Sequence, residues 1–491
     1  SKHSIFKRTA LFFQKIVKHE TLMVMIIVTL GFAVATVSLL GVKVTPSTDF
    51  GESIEKVLPP LYWLGIATIV AAISYMLLHL DKKKITIPFI TSCIMLIFLM
   101  RSVLAIISPL PPVPDAWVRM LVIKTWMKEG VFSAQGLVFF EGGYVRGWPL
   151  SFILAYIIVY AGVPMYTFFT WAPTIIFMLE VIAIYFLFKE LANQKIGLVS
   201  AFLFTLHNTN SFFTLHYTAQ GLGALVYLVA MYTIIKAYKT KKLKHLALTF
   251  ITIFFVVITH HMTTLFLGIS IIGAYLTRDI LQFLQKIRIQ NKRFQFAVKS
   301  GTFIKLTLPL CVFIFALWYF YGFIVYPIDA RAMLTDFMRL LTTGQPQYSA
   351  GFYYYYIIQP PLSRLAVIIP IAFVLGTGTA FLVGKMWKKE PLEGYLWFAA
   401  GWAGIMVLTF LVGNVIYGNY IEPSRSRDII CVAFYPASAS FLLRIFESRS
   451  TYRKILLTIV LVAVAFFSLF SIYRGAQDLV FFNPHPILGP P

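Results

Sequence analysis

The segment PLSFILAYIIVYAGVP, residues 149–164, decides how this chain is laid out. Its 16 residues make a helix of about 24 Å, short of the roughly 30 Å of hydrocarbon in a bilayer. Charge decides whether it crosses. If it does not, the N-terminus is cytoplasmic and the strongly basic loops 1–20, 81–85, 189–195, 236–245, 278–305, 385–393 and 444–454 all fall on the inner side. Those seven loops hold 29 of the 42 Lys and Arg residues, as the positive-inside rule requires. If it crosses, every basic loop after it flips outward and the rule fails. Segment 149–164 is therefore expected to be a partly embedded helix on the outer face.

Outward from it lie apolar stretches long enough to span, or nearly so: 21–41, 60–80, 86–107, 167–188, 196–213, 218–237, 303–325, 362–384, 394–416, 429–446 and 455–473. The stretch 245–278 is too long for one span. Thr259, His260 and His261 interrupt it, so two short helices are expected to meet there. The sum is an all-α polytopic membrane protein of about 13 transmembrane helices in a single membrane domain. Two large outer loops follow, 108–166 and 326–361, where function should concentrate. The C-terminus is expected outside and the location is a plasma membrane. The stretch 21–41 reads as a span, not a cleaved leader. Loop 278–305 patterns as an amphipathic helix on anionic headgroups.

Composition agrees. The 491 residues are 59% hydrophobic and 12% charged, where soluble domains carry about 25% charged residues. A mean hydropathy of +0.80 excludes an ordinary soluble enzyme or a disordered chain. The net charge of +23 resides in loops between apolar segments, so it encodes topology and not nucleic-acid binding. Cys93, Cys311 and Cys431 lie in apolar stretches without CxxC or zinc spacing.

The first outer loop opens with Pro-Leu-Pro-Pro-Val-Pro at 109–114, then Asp115. The prolines end the preceding span, and a short helix is expected from Asp115 to Glu129, stopped by Gly130. An aspartate there can serve as a helix cap alone. The order of features points further: Asp115, Trp117, Arg119, a helix, Glu129-Gly130, a glycine-containing turn, Tyr144, Trp148-Pro149 and an apolar helix ending Ala161-Gly162. Over about 105–275 this resembles the GT-C glycosyltransferase superfamily, integral membrane enzymes that take a sugar from a polyprenyl-phosphate carrier. Beyond that only the architecture is similar.

The resemblance implies attack of an acceptor nucleophile on the anomeric carbon, an inverting displacement with polyprenyl phosphate leaving. It implies a carboxylate in the first outer loop that acts as base or orients the acceptor, a role that falls on Asp115; apart from the resemblance, Glu141, at the Glu141-Gly142-Gly143-Tyr144 turn, is a second outer acid able to join it. The resemblance implies a polyprenyl-phosphate-linked sugar as donor and a glycan, lipid or protein as acceptor, in contact with membrane lipid. The WWDYG motif of oligosaccharyltransferase catalytic subunits is not in the sequence. The Ile- and Lys-rich loops suit a prokaryote, an archaeon among the candidates.

Physical chemistry asks for the same groups. A base must lie within hydrogen-bond reach of the attacking hydroxyl, and a leaving phosphate needs cations, arginine binding it bidentately. Arg425 and Arg427 precede a span on the outer side, against the topology rule. They are candidates for the donor phosphate; Arg331, Arg339 and Arg364, in and beside the second outer loop, are further candidates for the same job. Lipid headgroups or local pairs with Glu422 and Asp428 are the other use of such cations. Arg119, one turn past Asp115, is placed to pair with it and keep it ionised, or to touch substrate.

His216 and Gln220 lie where GT-C members carry polar or acidic groups, and can bind sugar hydroxyls or simply cap and bridge helices. His260 and His261 line the same side. Tyr354, within the run Tyr353–Tyr356, is a sugar-stacking candidate or an interface anchor. Glu180 is a lone acid inside a span and so a site candidate by default. No cofactor is required by the sequence. A divalent metal is left open, although no HExxH or similar spacing is present. Two other classes fit less of the pattern: a lipid-linked-glycan flippase or transporter, and a non-catalytic membrane subunit.

Overall fold

The structure is a computed structural model that describes residues 20–42, 58–80, 83–107, 114–130, 149–207, 217, 219–260, 263–274, 277, 301–320, 342, 361–388, 390, 392–416 and 423–480. Among the described residues the regular structure is all helix: α1 Glu20–Leu40, α2 Pro60–Leu77, α3 Thr86–Ile107, α4 Pro114–Glu129, α5 Pro149–Tyr160, α6 Met165–Leu191, α7 Gln194–Leu206 and α8 Ala219–Thr240. Then come α9 Leu243–Thr259, α10 Thr263–Ala274, α11 Gly301–Phe320, α12 Pro361–Trp387, α13 Gly394–Ile416, α14 Pro423–Phe446 and α15 Thr451–Val480. The protein is an all-α polytopic membrane protein.

Nine helices among the described residues are long and apolar enough to cross a membrane: α1, α2, α3, α6, α8, α12, α13, α14 and α15. Four of the 13 expected spans are shorter or incompletely described. Helix α7 covers Gln194–Leu206, where 196–213 was expected. At His207 the backbone leaves the helix, with φ −87° and ψ 84°. Helices α9 and α10 meet at His260, as the break in 245–278 predicts, and α11 has described side chains only from Pro309 on.

Local chemistry explains the helix ends. Proline begins α2, α4, α5, α12 and α14, a position whose missing N–H costs nothing and whose fixed φ is already helical. Asn193 caps α7 by accepting from the Ile196 N–H at 3.0 Å. Gly130 closes α4 with φ +68°, its N–H bonded to the Trp126 carbonyl at 2.9 Å. Gly162 closes the turn after α5 with φ +100°.

One end of the bundle is tied together by charged loops. Lys236 meets Glu190 at 2.6 Å, Lys195 meets Glu447 at 3.1 Å, and Arg444 meets Glu390 at 2.5 Å. Lys239 bonds the Glu190 carbonyl, and Gln194 bonds Thr86. Loops 189–195, 236–245, 385–393 and 444–454 therefore share this basic end with the start of α3. The Arg444 guanidinium holds the Glu390 carboxyl below the usual range. These partly exposed pairs contribute little stability each. Their value is geometric, since the topology reading requires those loops to lie together.

The spans are joined inside by hydroxyl bonds at modest energy: Tyr62 to the Leu99 carbonyl at 3.0 Å, Tyr227 with Ser270 at 2.8 Å, and Thr233 with Thr252 at 2.9 Å. Outward faces stay apolar, for example Leu30 and Val37 on α1 and Ile251 and Phe254 on α9, as lipid contact demands.

Candidate functional site at the end opposite the basic loops

At the far end, α4 and α5 form a layer on the start of α6. Helix α5 is 12 residues long, about 18 Å, too short to cross. It packs on α4, α6, α8 and α9. A separate apolar core fills this layer: Trp126 of α4, Phe152 and Ala155 of α5, Phe168 and Phe169 of α6, and Tyr217.

Ser151 is the junction of the layer. Its hydroxyl receives an Arg119 N–H at 3.3 Å, and its carbonyl accepts the Tyr217 hydroxyl at 2.7 Å. The Arg119 guanidinium lies 4.9 Å from the Phe152 ring centre, within cation–π range. Tyr217 packs edge-on against Phe168 and Phe169, at 4.9 Å and 5.6 Å. Burial pushes the Tyr217 hydroxyl well above its ordinary titration range, and the Arg119 charge acts in the opposite sense. Tyr217 therefore stays protonated and keeps donating to Ser151. Three chain segments far apart in sequence are locked by two bonds to one serine.

Asp115 is the second residue of α4, directly after Pro114, as the sequence predicts. Its side chain lies outside the described residues. Positions 115 and 119 are four apart and so share a face of α4. The described contacts of Arg119 run to Ser151 and Phe152, which makes Arg119 part of the layer's packing. An Asp115–Arg119 pair lies outside the described residues.

Gln220 sits in the first turn of α8, half-buried, and its side-chain oxygen is buried with no hydrogen-bond partner among the described residues. A buried carbonyl oxygen in that condition favours any donor that reaches it. His260 has a defined local job. Its Nδ1 accepts the Thr263 N–H at 3.3 Å and meets the Thr263 hydroxyl at 2.8 Å, so it caps α10 where α9 ends. Gly223 of α8 faces it: a Cβ there would lie 3.0 Å from the His260 Cβ.

Arg425 and Arg427 lie in the first turns of α14, at the end away from the basic loops, with side chains outside the described residues. Glu141, His216, His261, Arg331, Arg339 and Tyr354 lie outside the described residues altogether. Among the described residues no three of His, Cys, Asp or Glu come together as a metal centre. Glu180 is 3% exposed inside α6. Sequence reasoning missed Ser151 and Tyr217, which carry no signal of their own outside their three-dimensional meeting. It also missed Arg101, an ionisable residue inside a span and therefore readable by the rule that singled out Glu180.

No family model matches the sequence, and no curated protein matches it. Comparison with solved structures finds an oligosaccharyltransferase of Archaeoglobus fulgidus in complex with zinc and sulfate. It is 14% identical with a TM-score of 0.42, over 85% of this chain and 53% of that chain. The archaeal oligosaccharyltransferase AglB from the same organism, with an inhibitory peptide and a dolichol-phosphate, is 12% identical with a TM-score of 0.41, over 86% and 56% of the two chains. The chain spans about half the length of these structures. A likeness this distant carries no residue-by-residue correspondence.

Proposed function

We propose that this protein is a membrane glycosyltransferase that moves a sugar from a polyprenyl-phosphate carrier to a glycan, lipid or protein acceptor on the outer face. The observation that carries the reading is the layer at the far end. A helix too short to cross, α5, is bonded through Ser151 to both Arg119 of α4 and Tyr217, which supports α4 as a positioned element of the site. A carboxylate within hydrogen-bond reach of the acceptor hydroxyl is what attack on an anomeric carbon asks for, and Asp115, in the first turn of α4, is the residue proposed for it.

In this reading Asp115 takes the acceptor's proton as oxygen attacks. The anomeric bond to the carrier phosphate breaks, and the phosphate leaves with the bonding pair. Glu141 is a second acid for orienting the acceptor. Arg425, Arg427, Arg331 and Arg339 are candidates for the leaving phosphate, whose developing charge a guanidinium binds in a bidentate manner. Gln220, His216, His261 and Tyr354 are candidates for sugar contact. His260 contributes by shaping the α9–α10 junction. The N-terminus is cytoplasmic and the C-terminus outside, in a plasma membrane.

Donor class is the test. Purified protein in nanodiscs is given a labelled sugar on polyprenyl phosphate or on a nucleotide, with a membrane extract as acceptor. The expected result is labelled product from the polyprenyl donor alone. Product from the nucleotide sugar alone would end the carrier-dependent reading.

A further inference from the structure

Below the α4–α5 layer, α3 carries Arg101, a residue with no part in the chemistry above. It is 8% exposed, and its guanidinium carbon lies 3.7 Å from the centre of the Phe177 ring on α6. Phe177 in turn stacks on Phe204 of α7 at 6.3 Å. Glu180 follows Phe177 by one turn on α6, and His207 follows Phe204 by one turn at the end of α7. The His207 Nδ1 is 2.9 Å from the Tyr435 hydroxyl of α14. Arg101 of α3 thus lies on an aromatic pair shared by α6 and α7, and His207 ties the end of α7 to α14.

The depth of this cluster is set by helix rise. Counted from the basic end at 1.5 Å per residue, Arg101 lies about 22 Å along α3 and His207 about 20 Å along α7. Glu180 and Tyr435 lie deeper, at about 16 Å along α6 and α14. With about 30 Å of hydrocarbon, Arg101 sits in the far half of the membrane, under the layer that begins at Asp115. A guanidinium there is costly and marks a pathway or a site. The guanidinium carbon lies over the Phe177 ring, a cation–π contact that covers one side of the group. The planar fork of an arginine matches a two-oxygen anion such as a phosphate.

We propose that Arg101 binds the carrier's phosphate, holding it beneath the α4–α5 layer. This deepens the reading above and rests on it. The ligand chemistry is a lipid-borne phosphate reached from the bilayer. Glu180, of opposite charge and one turn deeper, sets the competing role, in which Arg101 only bridges α3 and α6 as half of a charge pair.

Binding of farnesyl phosphate to nanodisc-embedded protein separates these. Wild type, Arg101→Lys, Arg101→Gln, Glu180→Gln and the double variant Arg101→Gln/Glu180→Gln are compared, each first shown to be monodisperse. Arg101→Gln is expected to weaken binding at least tenfold and Arg101→Lys severalfold, because a lysine keeps the charge but not the fork. Glu180→Gln should leave binding equal or tighter, and the double variant should stay weak. Equal losses in both single variants with recovery in the double would establish the structural pair and overturn the proposal.

A second arm replaces part of the nanodisc lipid with phosphatidylglycerol. Competition as strong as that of farnesyl phosphate would make Arg101 a general headgroup contact and also overturn it. Wild-type binding left unchanged by Arg101→Gln removes this inference alone. No wild-type binding removes the carrier reading with it.

Discussion

On the proposed function, Asp115→Asn is expected to lower sugar transfer at least a hundredfold, about 2.7 kcal/mol of barrier, while the protein stays folded. The substitution keeps the shape of the side chain and removes only the proposed base. Helix α4 does not depend on it for position, because Arg119 and Ser151 hold α4 against α5. The start of α4 is also set by Pro114. An acid at a helix N-terminus contributes only about 0.3–1 kcal/mol through the dipole, so stability changes little. The loss falls on kcat and not on KM, as when a group acts only in the transition state. Single-turnover transfer in nanodiscs checks it. Unchanged transfer with a small drop in stability would make Asp115 an acid at a helix N-terminus and nothing more.

The sequence carried the architecture for a physical reason: a bilayer imposes length and charge on each segment separately. The short reach of 149–164, the His260 break and the Asp115-to-Gly130 helix are each readable one segment at a time, and α5, the α9–α10 junction and α4 follow. The end of α7 was readable only in part: the polar run His207-Asn208-Thr209-Asn210 falls inside the expected span 196–213, and the helix ends at Leu206. What the segment alone does not show is the partner of His207, whose ring finds Tyr435 from a helix more than 200 residues later. Ser151 and Tyr217 were silent for the same reason. Their role exists only where α5, α4 and α8 converge, and period and composition do not encode that meeting.

The second large effect is structural. Gly273→Leu is expected to remove most folded protein from detergent extracts. Gly273 of α10 and Gly401 of α13 cross at their backbones. A Cβ on Gly273 would sit 2.7 Å from the Gly401 carbonyl oxygen, and one on Gly401 would sit 2.7 Å from the Gly273 carbonyl oxygen. Neither backbone can yield without separating the helices, and the Gly273 Cβ also meets the Ile405 side chain. Small residues at such crossings let membrane helices approach. Overpacking costs about 1–3 kcal/mol where side chains can adjust, and here the obstacle is main chain. Gly376→Leu is the control, since a Cβ there meets nothing within 4 Å and should leave the monodisperse peak unchanged. A normal peak for Gly273→Leu would mean that α10 and α13 do not pack as described.

The central claim is that the chain breaks the bond between sugar and carrier instead of carrying the linked sugar across or merely binding it. A carrier labelled separately on its sugar and on its lipid, given to the protein in sealed vesicles with acceptor outside, tests this directly. The account predicts one polyprenyl phosphate freed for each sugar joined to acceptor, on the outer face. Intact carrier-linked sugar crossing the bilayer, with no free polyprenyl phosphate and no product, would contradict it and establish a flippase.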